Sequence, residues 1–91
     1  MRAIVEDFSS YHQLSRRETE VLRMICEGAK NSLIAQELGI SPTTVRLHIT
    51  NIHRKLDTFN KVDVVLKMWH WWMKRNPRHT ASSKQDHAIK M

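Results

Sequence analysis

The sequence predicts an all-α fold, a four-helix domain followed by a flexible polar tail, and three observations predict it. Apolar residues recur three and four positions apart from Leu14 to Met73, the spacing of a helix face, and no stretch alternates as a strand would. Gly28, Gly39, Pro42 and Pro77 all fall at the edges of these periodic stretches. Ser15, Asn31, Ser41 and Asn60 each stand where a helix needs a capping side chain.

Residues 1–13 read as a short leader in which Ile4, Phe8 and Tyr11 share one face of a turn or two. The first firm helix opens at Ser15, where "SRRE" is a capping box pairing Ser15 with Glu18. Glu18 also points toward the apolar face, so an ion pair with Lys55 is a second role for it. Val21, Leu22 and Ile25 form the buried stripe, Cys26 joins them as a small hydrophobe, and Gly28 stops the helix. The second helix runs from its expected cap Asn31 to Leu38, with Leu33, Ile34, Ala35 and Leu38 apolar, and Gly39 ends it. Ser41 caps the third helix and Pro42 takes its first position, where a missing N–H costs nothing. That helix ends near Leu56. "DTFN" makes a turn, Asn60 caps a fourth helix with Asp63 in its first turn, and the helix reaches about Lys74. The remaining "NPRHTASSKQDHAIKM" has too few apolar residues to order itself; its Arg78, Lys84 and Lys90 add nonspecific attraction to a polyanion. The division is thus 1–13 leader, 14–75 four-helix domain, and 76–91 flexible basic tail.

At 91 residues the chain holds one domain with a thin core. A net charge of +6 and a pI near 10.0 favour a polyanionic partner, nucleic acid before an anionic membrane surface. The single cysteine excludes an internal disulfide. No apolar run approaches the ~20 residues of a membrane span, and the N-terminus is not a signal peptide. The expected compartment is the cytoplasm, at the nucleoid. No catalytic triad, paired carboxylates or Gly-rich phosphate loop is legible, so the chain reads as no enzyme and without a cofactor. The histidines lack metal-ligand spacing with Cys26, so no metal site is expected.

The third helix, within "ISPTTVRLHITNIHRKL", carries the function. Val45, Ile49, Ile52 and Leu56 make one apolar stripe; Arg46, Leu47, Thr50, His53 and Arg54 lie opposite, with no acid in the stretch. Only "GIS" separates it from the second helix, which forces the sharp angle of a helix-turn-helix. Ala35 is small at the crossing, Gly39 supplies the turn, and Val45 anchors the third helix. A helix in the major groove must offer donors to base edges and apolar atoms to thymine methyls. Arg46 suits guanine O6 and N7, Thr50 a base or phosphate, and Leu47 a methyl. His53 and Arg54 suit phosphate. Asn31 and Ser32 open one helix, and Thr43 and Thr44 the other, where N-terminal N–H groups attract phosphate. His48, at the stripe's margin, reads as structural. The plainer reading of the whole face is solvated surface, which the absence of acids disfavours.

The stretch "LSRRETEVLRMICEGAKNSLIAQELGISPTTVRLHITNIHRKL", with "NK" after the turn, resembles the LuxR-type helix-turn-helix domain of bacterial transcription regulators, the GerE- and FixJ-like group. The resemblance spans Leu14 to about Met73. It implies a four-helix domain whose third helix reads double-stranded DNA and whose fourth supports a dimer. It places base contacts at Arg46, Leu47 and Thr50, and backbone contacts at Asn31, Thr44, Asn51, Arg54 and Lys55. Two residues depart from the pattern: Leu33 where the family usually has an acid, and Thr50 where many members carry Lys or Arg. Most members attach this domain to a receiver or ligand-binding domain; this chain is expected to stand alone, without its own trigger.

"KVDVVLKMWHWWMK" is apolar over a wide arc. Val62, Val65, Leu66, Trp69, Trp72 and Met73 are the expected core stripe, with Val64, Met68 and Trp71 beside it. The dimer interface is assigned to Val64, Met68, Trp71 and Trp72, the alternative cover being Ile4, Phe8 and Tyr11. The expected function is a homodimeric, sequence-specific DNA-binding transcriptional regulator that reads the major groove with helix 42–56 and contacts another regulator or RNA polymerase, with no membrane partner. The alternative is a small protein-interaction adaptor that binds another regulator through the Trp-rich helix 61–74. A detached promoter-recognition segment of a sigma factor is a third reading, disfavoured by "TV–H" and "NK".

Overall fold

Capping side chains set where the helices begin. The computed structural model describes residues 2–76, and among these it has five helices: α1 (Arg2–Tyr11), α2 (Arg16–Cys26), α3 (Asn31–Leu38), α4 (Pro42–Leu56) and α5 (Lys61–Arg75). The described residues contain no strand, and α2 to α5 are the four helices expected. The expected tail, with Arg78, Lys84 and Lys90, lies beyond Asn76 and so outside the described residues.

At α2 the Glu18 N–H donates to Ser15 Oγ and the Ser15 N–H donates to Glu18 Oε1, closing the capping box at 3.1 and 2.9 Å. Ser41 caps α4 by accepting from the Thr44 N–H, with Pro42 in the first turn, and Asn60 caps α5 by accepting from the Asp63 N–H. α3 departs from expectation. Lys30 holds its cap position without a side-chain bond, and Asn31 is already helical. The Asn31 Oδ1 instead accepts from Lys61 Nζ at 2.6 Å, so its oxygen braces the start of α5. Gly39, at φ +66°, ends α3; its N–H donates to the Gln36 carbonyl and the Ile40 N–H to the Ala35 carbonyl. Asp57 takes the same left-handed conformation after α4, at φ +58°.

α4 crosses both α2 and α3, and its Val45, Ile49, Ile52 and Leu56 face a core with Val21, Leu22, Ile25, Ile34 and Ala35. Ala35, 5% exposed, and Val45, fully buried, thus hold the helix-turn-helix angle as read from the sequence. Cys26 packs against this core, and burial pushes its thiol pKa up, with Glu27 adding to the effect.

Two expectations are corrected. Residues 1–13 were expected as a short leader, but α1 is a full helix packed on α2 and α5, and its Val5 and Phe8 are completely buried. It belongs to the same packed unit. The phase of α5 also differs. Val64 and Met68, assigned to a dimer interface, are 0% and 3% exposed and lie in the core. Val62, Leu66 and Trp69, assigned to the core, are exposed. The reason is α1: it presents Phe8 to Trp71, ring centroids 5.5 Å apart, so the strip of Val64, Met68 and Trp71 faces inward. Among the described residues, no helix is long and apolar enough to cross a membrane.

Candidate nucleic-acid interface

Burial of its apolar stripe fixes how α4 is turned, and everything else on the helix follows. Arg46, Leu47, Thr50 and Arg54 are exposed on the outer side, with Thr43 exposed at the first turn. Leu47 leaves 57% of its surface bare, a cost in water that an apolar contact outside the chain would relieve. The fifteen residues of α4 contain no acid, so the helix itself brings only cationic charge to this face. The Arg46 Nη2 donates to Thr43 Oγ1 at 3.2 Å, which steers the guanidinium along the helix toward its N-terminus. The Thr50 hydroxyl donates to the Arg46 carbonyl at 2.9 Å, so toward a ligand it acts as an acceptor. Ser41 Oγ and Thr44 Oγ1 lie 2.9 Å apart at the cap.

Other residues expected at this face are held elsewhere. Lys55 Nζ is 2.8 Å from Glu18 Oε1 and also donates to the Gln13 carbonyl at 3.3 Å, which draws its charge toward the turn between α1 and α2. Burial by itself would raise the Glu18 pKa; hydrogen bonds from Lys55 and from Ser15 outweigh it and hold the carboxyl below its ordinary value. His53 Nδ1 is 2.8 Å from Thr58 Oγ1, where it fastens the end of α4. Asn51 is half-buried, and His48 is half-buried at the margin of the stripe. At the head of α3, Ser32 and Lys30 are exposed beside half-buried Asn31.

The structure thus groups Thr43, Arg46, Leu47, Thr50 and Arg54 on one open face, and separates Lys55 and His53 from it. Sequence reasoning missed Lys61, which joins the head of α3 to α5 through Asn31. The partners stand 30 positions apart, and no local pattern links them. A second open surface lies on α5 and the turn before it: Phe59, Val62, Leu66 and Trp69 are 89, 67, 49 and 47% exposed. They recur at intervals of three, four and three, one face of a helix, and Trp69 stacks on Trp72 at 5.6 Å.

Comparison with known proteins shows the family of the chain. The family profile described as bacterial regulatory proteins, luxR family, matches residues 12–68. The chain is 41% identical over 56 residues to a monoamine regulon transcriptional regulator of Klebsiella aerogenes, covering 62% of this chain and 25% of that protein. It is 40% identical over 58 residues to the uncharacterized response regulatory protein YgeK of Escherichia coli, covering 64% and 40% respectively. It is 39% identical over 61 residues to the transcriptional regulatory protein LiaR of Bacillus subtilis, covering 67% and 29%. The match therefore spans well under half the length of these relatives. No solved structure gives a significant match.

Proposed function

Because the chain belongs to the luxR family of bacterial regulatory proteins, we propose that it is a sequence-specific DNA-binding regulator of transcription that reads the major groove with α4. The observation that carries this reading is the outer face of α4: Arg46, Leu47, Thr50 and Arg54 exposed together on a helix without an acid. Arg46 is the reader of guanine, Leu47 packs on a thymine methyl, and Thr50 accepts from a base amino group. Arg54, Thr43 and Ser32, with the α3 and α4 N-termini near Asn31 and Thr44, hold phosphates. Asn51, half-buried, stands at the edge of that set. The protein works in the cytoplasm on the nucleoid.

The reading includes a homodimer. Val64 and Met68 are spent on the core, so the interface moves to Phe59, Val62, Leu66 and Trp69, with Trp72 stacked beside it. A two-fold pairing of α5 with a second α5 covers that stripe and sets two α4 helices against successive half-sites. The same bare stripe supports the rival reading, an adaptor that docks on another regulator.

Selection of bound duplexes from a random pool tests the proposal. Enrichment of a short motif, repeated with two-fold symmetry at a spacing of about one DNA turn, ~10 base pairs, is the expected result. An unenriched pool contradicts DNA reading and favours the adaptor.

A further inference from the structure

α1 lies outside the residues matched to the family, and it encloses a second feature that DNA binding does not use. Between α1 and α2 is an open cleft of about 440 Å³. Its lining is polar: Glu6, Ser9 and Ser10 on α1 face Arg16, Thr19 and Arg23 on α2. Small-molecule sites have volumes of this order, though most are more apolar.

Two buried side-chain atoms among the described residues have no hydrogen-bond partner, Ser9 Oγ and Arg23 Nε, and both belong to residues of this cleft. Ser9 is only 2% exposed. Buried polar groups are nearly always bonded, so two orphans beside one cleft ask for an external partner. Their chemistry defines it. The Arg23 N–H only donates and needs an acceptor, best an anionic one, while the Ser9 hydroxyl does either. Arg16 adds a second cation at the rim. Glu6 Oε2 and Arg23 Nη2 form a long ion pair at 4.0 Å, too far for a hydrogen bond, and the Glu6 side chain stays 58% exposed, so its carboxylate has room for a second cation. Glu20, also at the rim, is already paired with Arg17 at 3.0 Å.

We propose that this cleft binds a free α-amino acid, its carboxylate on Arg23 Nε and Ser9 Oγ and its ammonium on Glu6. A simple anion leaves Glu6 opposed to it, and a simple amine leaves Arg16 and Arg23 opposed to it; the zwitterion answers both. The ligand fastens α1 to α2 and so makes the domain responsive to a metabolite. The inference does not rest on the DNA-binding reading.

The test is a nitrogen-15 amide spectrum of the full chain, titrated with a millimolar pool of the proteinogenic L-amino acids, then with each alone, with acetate and with methylamine. Saturable shifts at Ser9, Ser10, Thr19 and Arg23 with one or more amino acids, and weaker or none with acetate and methylamine, are expected. Arg23→Gln should bind roughly tenfold or more weakly. Ser9→Ala should bind several-fold more weakly while melting no lower than the parent, since it removes an orphaned hydroxyl; it carries the test if Arg23→Gln loses the parent's amide dispersion. The proposal is overturned if the pool gives no saturable shift, if acetate binds as well as any amino acid, or if the Ser9→Ala chain binds as tightly as the parent.

Discussion

Arg46 and Arg54 sit about two turns apart on α4, yet their loss should read differently. Arg46→Ala is expected to weaken specific binding by ~1–3 kcal/mol and relax one base position, while Arg54→Ala weakens all duplexes alike. Competition between matched and mismatched duplexes measures this, and equal sequence profiles for the two variants would refute the division of roles. Lys55 should act on the fold instead. Lys55→Ala leaves Glu18, 6% exposed at its side chain, without its cation but with its Ser15 N–H bond, at a cost of ~1–2 kcal/mol in urea unfolding. The same pair sets a pH dependence. The Glu18 carboxyl is held below its ordinary value, so its stabilisation is full above the unfolded value and lost as pH falls through the folded one. His12 is lowered by burial first and by Lys67 second, so the unfolded chain protonates first and stability drops as pH falls below 6.5. Both act in the same direction. Unfolding midpoints across an acid titration should fall in two steps, the lower step disappearing in Glu18→Gln. At this scale the caps at Ser15, Ser41 and Asn60 were legible because each bond spans three residues. The tie from Lys55 to Glu18 spans 37, and sequence offered it only as a second role for Glu18.

The α4 helix was legible as an element because its stripe has one phase: every position of Val45, Ile49, Ile52 and Leu56 is apolar, and of the opposite positions only Leu47 is. α5 was not. It is apolar on two adjoining strips, so periodicity alone cannot say which strip faces in. The answer came from α1, whose Ile4 and Phe8 the sequence offers only as the alternative cover, behind a dimer, and Phe8 does meet Trp71. The corrected phase makes paired predictions. Met68→Ala should cost ~2–5 kcal/mol because it empties core volume. Leu66→Glu with Trp69→Glu should leave a folded, helical monomer that holds one half-site weakly and loses affinity for a symmetric operator. Sedimentation with circular dichroism distinguishes the two cases. A parent chain that is monomeric at tens of micromolar, with and without DNA, would refute the dimer.

Across the whole molecule the net charge of +6 should appear as salt dependence, because neutralised phosphates release counterions. Titrating a bound duplex over potassium chloride should give a steep negative slope on log–log axes; a flat slope would support the adaptor. The global shape was legible in part. Four helices and the angle between α3 and α4 follow from local signals, whereas the closure of α1 onto α5 joins segments far apart in the chain. That closure bears on the order of events during synthesis. The ribosome delivers α1 well before α5 exists, so Phe8 emerges without Trp71, one of the side chains that will cover it. α2, the other helix that α1 packs on, follows at once, but the side of Phe8 that meets Trp71 stays open until α5 is made. Phe8→Ala should therefore quicken unfolding while leaving the refolding rate nearly unchanged in stopped-flow chevrons. Until α5 is complete, part of the apolar face of α1 is available to a holding chaperone.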